Sequence, residues 1–327
     1  MKFFKLTWTM LIVALSITGL STSLVQAKDL KVNLLVGPNE PTYKGWIAAK
    51  EYIEDKSGGN LEVKVFHSGQ LGKQQTRIVD VQQGQYDAAG ESPAKMSSLY
   101  KPIGVFGAPY IFRDASHMKR VFASDIGQNL LMEFEKKSNI KVLDTWYYGT
   151  RHLTSNTLGV TPKELSKVKM RISSAPIAYE FANALGTVPT PVAFNELYMA
   201  LKTGAVDGQE NPIPTIHAKK FYEVQKHLIL TGHVIGPFVQ MMNMDTWNGL
   251  SAEDQKIVLD GVKYGGTVAD AIVIEKEQSL IADLEKKGMT VTTPPNIDLF
   301  RERAQKAYKN YEADWGAGVV DKIVAIQ

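Results

Sequence analysis

The stretch KVKMRISSAP, residues 167–176, decides how the rest of the chain is read. Met170-Arg171-Ile172 has the look of a short buried strand, with one guanidinium set among apolar residues. Pro176 follows, and Pro suits a first helical turn because its missing N–H has no partner there anyway. Helical spacing then runs over 176–185, and Gly186 ends it. A strand feeding a helix through a short connection is the unit of an α/β sheet.

The same unit recurs on both sides. Residues 195–202 are helical and stop at Gly204, and Val206-Asp207-Gly208-Gln209 reads as a strand closed by Asn211-Pro212. Upstream, Thr161-Pro162-Lys163-Glu164 predicts a helix start: a capping Thr, Pro in the first turn, Glu three residues on. The first half shows the series again without repeating the sequence. Residues 30–36 and 61–66 read as strands, 40–56 as a helix closed by Gly58-Gly59, 72–83 as a second helix, and 86–89 as a short strand. The expectation is an α/β protein of two domains, each a mostly parallel sheet flanked by helices.

Residues 251–287 form the longest helical stretch, with a capping box at Ser251 and Asp254 and a stop at Gly288. Fully helical, it reaches about 55 Å, longer than one small domain. Gly265-Gly266 interrupts the pattern, so one bent helix and two helices in line both fit. Either can bridge two domains. Residues 299–311 predict a last helix.

The N-terminus reads as an export signal. Lys2 and Lys5 precede an apolar run over 6–20, and Val25-Gln26-Ala27 offers small residues for cleavage after Ala27. Removing 1–27 leaves 300 of the 327 residues, and 35 basic against 34 acidic side chains. Such a balance gives no basis for nucleic-acid or membrane-surface binding. Cysteine is absent, so thiol catalysis, cysteine metal sites and disulfides are excluded.

Searches for chemistry return little. There is no G-x-S-x-G elbow, no H-E-x-x-H helix and no G-x-G-x-x-G turn. SGQLGKQQT, residues 68–76, lacks the phosphate-loop spacing. His227 and His233 are spaced for neither a helical nor a hairpin zinc pair, so no metal site and no cofactor is expected. What remains is polar residues at strand ends, where open α/β sheets bind ligands. They are Arg151 in YYGTRHLTSN, Arg171, and Gln209, Glu210 and Asn211 in DGQENP. Two arginines in one cleft attract an anion.

Taken together, GTRHLTSN, KMRISSAP, ALGTVPTPVAFNELYMALKTGAVDGQENP and KFYEVQKHL resemble the periplasmic solute-binding proteins of tripartite ATP-independent (TRAP) transporters, of the dicarboxylate-binding (DctP) type. The likeness covers nearly the whole mature chain, PYIFRD at 109–114 and the long helix included. It implies the two-lobed periplasmic binding protein fold, with a long helix spanning both lobes. The implied division is a signal peptide 1–27, lobe I from 28–149 plus 238–277, and lobe II from 150–237 plus 278–327. The resemblance implies no enzyme activity, a small organic acid as ligand, and TRAP membrane subunits as partners. A monomer in the periplasm is expected.

Residue by residue, the likeness carries Arg171 over as the two-pronged receiver of the ligand carboxylate. It makes Arg151 a second donor, Asn211 a ligand contact, and Phe194 a ring packed near the carboxylate. Glu91 or Ser92 supplies an acidic or polar contact, with Gln209 and Tyr148 completing the candidate set. One departure stands out: where sialic-acid binders of the family carry an Asn on the first strand, this chain has Leu35 beside Val36. An unmatched buried hydroxyl costs about 1–3 kcal/mol, which disfavours a polyhydroxylated sugar acid. The ligand stays open among C4-dicarboxylates, keto acids, sugar acids and aromatic acids. A competing reading is an exported hydrolase or isomerase of an organic acid, with Glu91 or Glu210 as base.

Overall fold

The computed structural model describes residues 27–327; the export signal expected ahead of Lys28 lies outside the described residues. The chain alternates strand and helix as its periodicity dictates. In the first half, β1 (Lys28–Asn33), α1 (Pro41–Lys56), β2 (Leu61–Phe66), α2 (Arg77–Gln82), β3 (Ala88–Glu91) and the short α3 (Pro93–Met96) lead to α4 (Ala115–Ala123) and α5 (Asp125–Ser138). Then β4 (Ile140–Ser155) enters the second half, which holds β5 (Lys169–Ile172), α6 (Pro176–Ala184), β6 (Val188–Pro191), α7 (Leu197–Lys202), β7 (Gly208–Pro212) and α8 (Ile213–Ala218). The chain returns through β8 (His227–Asn243), α9 (Met244–Asn248), α10 (Ala252–Lys286), β9 (Thr290–Thr292) and α11 (Asp298–Lys306).

Two lobes share one sheet. The strand order is β2-β1-β3-β8-β4-β7-β5-β6, with β9 on β8. In the first lobe β1 pairs in parallel with β2 and β3; in the second, β5 pairs in parallel with β6 and β7. The long antiparallel pair β4 and β8 passes through both lobes. It pairs with β3 at one end and with β7 and β9 at the other. Its register shifts three times, between Val142 and Asp144, between Tyr147 and Gly149 opposite Pro237 and Gly236, and between Arg151 and Leu153. Gly149, at the middle shift, has φ 117, in the region that favours glycine.

Helix α10 is continuous, which decides between the two forms the sequence left open. Gly265 and Gly266 do not break it. A Cβ on Gly265 would lie 2.4 Å from the Gly45 carbonyl, and one on Gly266 2.6 Å from Trp146. Both glycines exist to let α10 lie flat on α1 and β4. Its other end buries Leu284 in the second lobe's core with Leu197, Ile216 and Phe221. The helix expected at Thr161 does not form. The reciprocal bonds are made, Glu164 N–H to Thr161 Oγ1 at 3.3 Å and Thr161 N–H to Glu164 Oε2 at 3.0 Å. They close only a run of turns, because Lys167, at φ 72, must already bring the chain into β5. The helix read at 72–83 shrinks to Arg77–Gln82 and leaves Gln74 on a turn.

Candidate functional site

A cavity of about 140 Å³ lies between the lobes, outside the carboxyl ends of β3 and β5. Its walls include Leu35, Gln74, Arg77, Glu91, Lys95 and Tyr148 from the first lobe and its margin. The second lobe contributes Arg151, Arg171, Phe194, Glu210, Asn211 and His233. The sequence-predicted residues are thus brought together, with one exception: Gln209 sits behind the wall. It is fully buried, donates to Thr154 Oγ1 at 2.9 Å, and accepts from Asn211 Nδ2 at 2.5 Å. Its role is to hold Asn211.

Arg171 is 2 % exposed. Its Nε donates to the Val192 carbonyl at 2.9 Å and its Nη2 reaches Gln74 Oε1 at 3.4 Å. Among the described residues it forms no ion pair. Burial, with Arg151 adding to it against the pull of Glu210, brings its pKa down to about 10. This is a guanidinium removed from water with no acid of its own, an arrangement that costs several kcal/mol.

Arg151 is arranged differently. Its Nε and Nη2 fork onto the Glu210 carboxylate, Nη2 lying 2.8 Å from Oε1, and Nη2 also reaches the Glu210 carbonyl at 2.8 Å. Asn211 Oδ1 accepts from the same nitrogen at 3.2 Å. The pairing follows from register, since Leu153 stands opposite Glu210 across the β4–β7 ladder. Burial works against an ionised Glu210, but Arg151 and the bond from His233 prevail and hold it at about 2. His233 stacks on Phe181 with ring centres 4.6 Å apart and contacts Glu210 Oε2 at 3.3 Å. Burial lowers its pKa more than Glu210 raises it, so it is neutral and its Nε2–H points at Glu210.

The first-lobe wall carries a second buried pair. Arg77 Nη2 lies 2.5 Å from Glu91 Oε2, and both side chains are 3 % exposed. Burial opposes ionisation of Glu91, yet Arg77 and then Lys95 keep its pKa below the ordinary carboxylate value. Ser92 donates its N–H to Glu91 Oε1 at 2.8 Å, so Glu91 and Ser92 act as one unit. Lys95 is 8 % exposed, donates to the Gln74 carbonyl at 2.8 Å and lies 3.8 Å from Glu91. Tyr148 stacks on Phe238, and Arg77 sits over the other ring at 5.7 Å.

Sequence reasoning missed Gln74, Arg77, Lys95, His233 and Phe238. Gln74 lies inside the 68–76 stretch, whose glycines resemble a phosphate loop without its spacing. It links the lobes: besides Arg171, its Oε1 accepts the Phe194 N–H at 2.9 Å. A second link joins Glu40 to the other lobe, through the Thr215 hydroxyl at 3.2 Å and Lys219 Nζ at 3.5 Å. Lys219 in turn lies over the Phe194 ring at 5.0 Å.

The base required by the hydrolase or isomerase reading is poorly served. A general base works best with a pKa near the operating pH. Glu91 and Glu210 are each bound to an arginine and depressed. Two α/β lobes on a common pair of long strands, with a charged cavity between them, define a ligand-binding protein of the two-lobed kind. The chain belongs to the DctP family, bacterial extracellular solute-binding protein family 7, whose model matches residues 33–314, and is a solute-binding protein of the TRAP type. The family consists of transport proteins rather than enzymes. The sialic acid-binding periplasmic protein SiaP of Vibrio cholerae is 32% identical over 314 residues, covering 96% of this chain and 98% of that protein. A TRAP periplasmic solute-binding protein from Polaromonas, bound to D-erythronate, superposes with a TM-score of 0.87 at 30% identity, covering 91% of this chain and 99% of that one. Another, from Sulfurospirillum deleyianum with bound succinate, gives 0.86 at 27% identity, with 91% and 99% covered.

Proposed function

We propose that this chain captures a small organic acid by a two-pronged bond between the acid's carboxylate and Arg171, and hands it unaltered to the membrane subunits of a TRAP transporter. The observation that carries this reading is the buried guanidinium of Arg171, which lines the cavity without an acidic partner. A guanidinium fork matches a carboxylate in plane and spacing, which Lys does not. With the lobes apart, water solvates Arg171; with the lobes together, an anionic ligand must take water's place. Closure therefore favours the loaded protein by differential contact. Asn211, Phe194, Tyr148 and the Glu91–Ser92 unit shape the space around the carboxylate, and Arg151 contributes chiefly by holding Glu210 and Asn211.

The division into 28–149 plus 238–277 and 150–237 plus 278–327 belongs to the same proposal. Supporting it, Gly149 and Gly236 lie at the middle one of three register shifts in the crossing strands. Glu277 of α10 accepts the Thr150 N–H at 2.5 Å and the Tyr147 hydroxyl at 2.9 Å at the same level. Rotation about that level opens the cleft. Export by cleavage after Ala27, a periplasmic location and action as a monomer complete the reading.

The test is a thermal-shift screen of small organic acids on residues 28–327, followed by calorimetry on the best binder. A ligand at a hundred times its dissociation constant stabilises by about 2.7 kcal/mol. Arg171→Lys keeps the charge but loses the fork, and should weaken binding about 100-fold, toward the lower end of the roughly 2–5 kcal/mol lost when one partner of a buried charge pair is truncated. Equal affinity in that variant, or no acid that binds at all, refutes the assignment.

A further inference from the structure

We propose that the slot between α6 and strands β4 and β5 receives an apolar tail, so that the acid carried is a monocarboxylic hydroxy acid with a short branched tail rather than a dicarboxylate. This rests on the carboxylate-capture reading above and names the ligand class for the same cavity.

The cavity has two chemically different ends. At one, Arg171, which forms no ion pair among the described residues, and Lys95, whose carboxylate neighbour Glu91 lies 3.8 Å away, converge on a single residue. Arg171 reaches the Gln74 side chain at 3.4 Å, and Lys95 reaches the Gln74 carbonyl at 2.8 Å. One carboxylate placed there is served by both lobes.

The other end is walled by Ile177 and Phe181, a turn apart on α6, by Leu185 just past its end, and by Leu153 and Met170 from the strands beneath. Phe181 and Leu185 pack with Leu153 and Met170 as a core and wall the cavity as well. Apart from Arg171, the second-lobe cation in the lining is Arg151, which Glu210 already occupies. The charged group beside it is Glu210 itself, joined to His233, whose ring lies on Phe181. His233 has no donor to spare, since its Nε2–H meets Glu210 and its Nδ1 contacts Thr231 Oγ1 at 2.8 Å.

A second ligand carboxylate here would find Arg151 already taken by Glu210 and would be desolvated without a cation of its own, which is costly. An alkyl group instead gains apolar burial. Glu91 and Glu210 in the cavity wall present acceptors only, which suits a ligand hydroxyl that donates. The volume, about 140 Å³, sets the size. A cavity of about 150 Å³ holds one benzene, so the ligand has roughly six to ten non-hydrogen atoms.

The test is calorimetry on residues 28–327 with 2-hydroxy-3-methylbutanoate, succinate and lactate. The first two have equal numbers of non-hydrogen atoms, so size cancels. We expect the branched hydroxy acid to bind at least about 10-fold tighter than succinate, the discrimination a well-formed apolar pocket achieves. Phe181→Ala should weaken it about 10-fold while lactate, which has no tail to lose, changes less than about twofold. Should Phe181→Ala fold poorly, Ala178→Leu fills the slot from its half-buried edge and should act in the same direction, again sparing lactate. Succinate binding as tightly as the branched acid, or equal losses for lactate in either variant, overturns the proposal and leaves carboxylate capture standing. If none of the three acids binds while another organic acid does so through Arg171, the ligand class is wrong; if no acid binds, both readings fall.

Discussion

Arg151 and Arg171 stand on strands separated only by β7, line the same cavity, and are treated in opposite ways by the fold. Arg151 is saturated: Glu210 takes its fork, and Asn211 takes what remains. Arg171 is held by one carbonyl and one amide oxygen, both neutral. The first is a structural ion pair, and the second is a buried cation left in deficit, on which the proposed carboxylate capture rests. The difference teaches that a buried arginine is diagnostic of function only after its partners are counted, because burial alone describes both.

The sharpest way to break this comparison is to remove each charge in turn. Arg151→Met strands Glu210 as a buried carboxylate with no cation, and losing one partner of such a pair costs about 3–5 kcal/mol. Urea denaturation should show that loss, and adding Glu210→Gln to the same variant should recover a large part of it. Arg171→Met removes a charge that has no acid partner, so stability should stay level or rise while acid binding disappears. If both single variants lose equal stability, the two arginines are not different in kind, and the functional weight placed on Arg171 is unfounded.

Much of this contrast was open to a reader of residues alone, though not all of it. Arg171 announces itself because a guanidinium between Met170 and Ile172 has no ordinary reason to be there. The strand–helix units, the cap at Ser251 and the length of the last long helix are local matters, and local periodicity carries them. The crossing strands were not legible. In β8, Gly232, Gly236 and Pro237 look like loop punctuation, and burial on both faces at 236–243 erases the alternation that marks a half-buried strand. The capture of Arg151 by Glu210 depends on the β4–β7 register, and the place of Gln74 depends on which turn crosses the cleft. Neither is encoded within a few residues of the side chain concerned.

A second prediction uses acid to separate the paired site from its surroundings. Glu210 sits at about 2 in the fold against an ordinary value of 4.5, so its contribution is complete above pH 4.5 and is lost as pH falls toward 2. His152, half-buried on β4, accepts the Gly232 N–H at 3.0 Å on Nδ1, and burial followed by His233 pushes its pKa down to about 3. A histidine kept neutral in the fold lets the unfolded chain bind the extra proton below its ordinary value of 6.5. Both effects have the same sign: stability should decline on acidification, from about pH 6.5 through His152 and from about 4.5 through Glu210. Melting temperatures across that range will show it. Glu210→Gln should flatten the lower window only, and a variant whose slope there matches the parent would remove the Arg151–Glu210 pair as its cause.

The smallest effect belongs to the contact that joins the lobes at the edge of the site. Glu40 is 1 % exposed and accepts from Gly37 N–H at 3.0 Å within its own lobe. Across the cleft it meets the Thr215 hydroxyl and the Lys219 ammonium, whose side chain is 24% exposed. Burial raises the Glu40 pKa even against the pull of Lys219, so the pair is a compromise rather than a strong lock. Partly solvated pairs are worth about 0.2–1 kcal/mol, so Glu40→Gln should cost no more than about fivefold in ligand affinity. The loss should appear in dissociation, since the contact exists only when the lobes meet, and it should shrink as salt is raised. Stopped-flow release of the ligand from the parent and variant proteins measures it directly. A loss near that of Arg171→Lys would place Glu40 in the carboxylate site itself, whereas identical release rates would mean that closure is driven by the ligand alone.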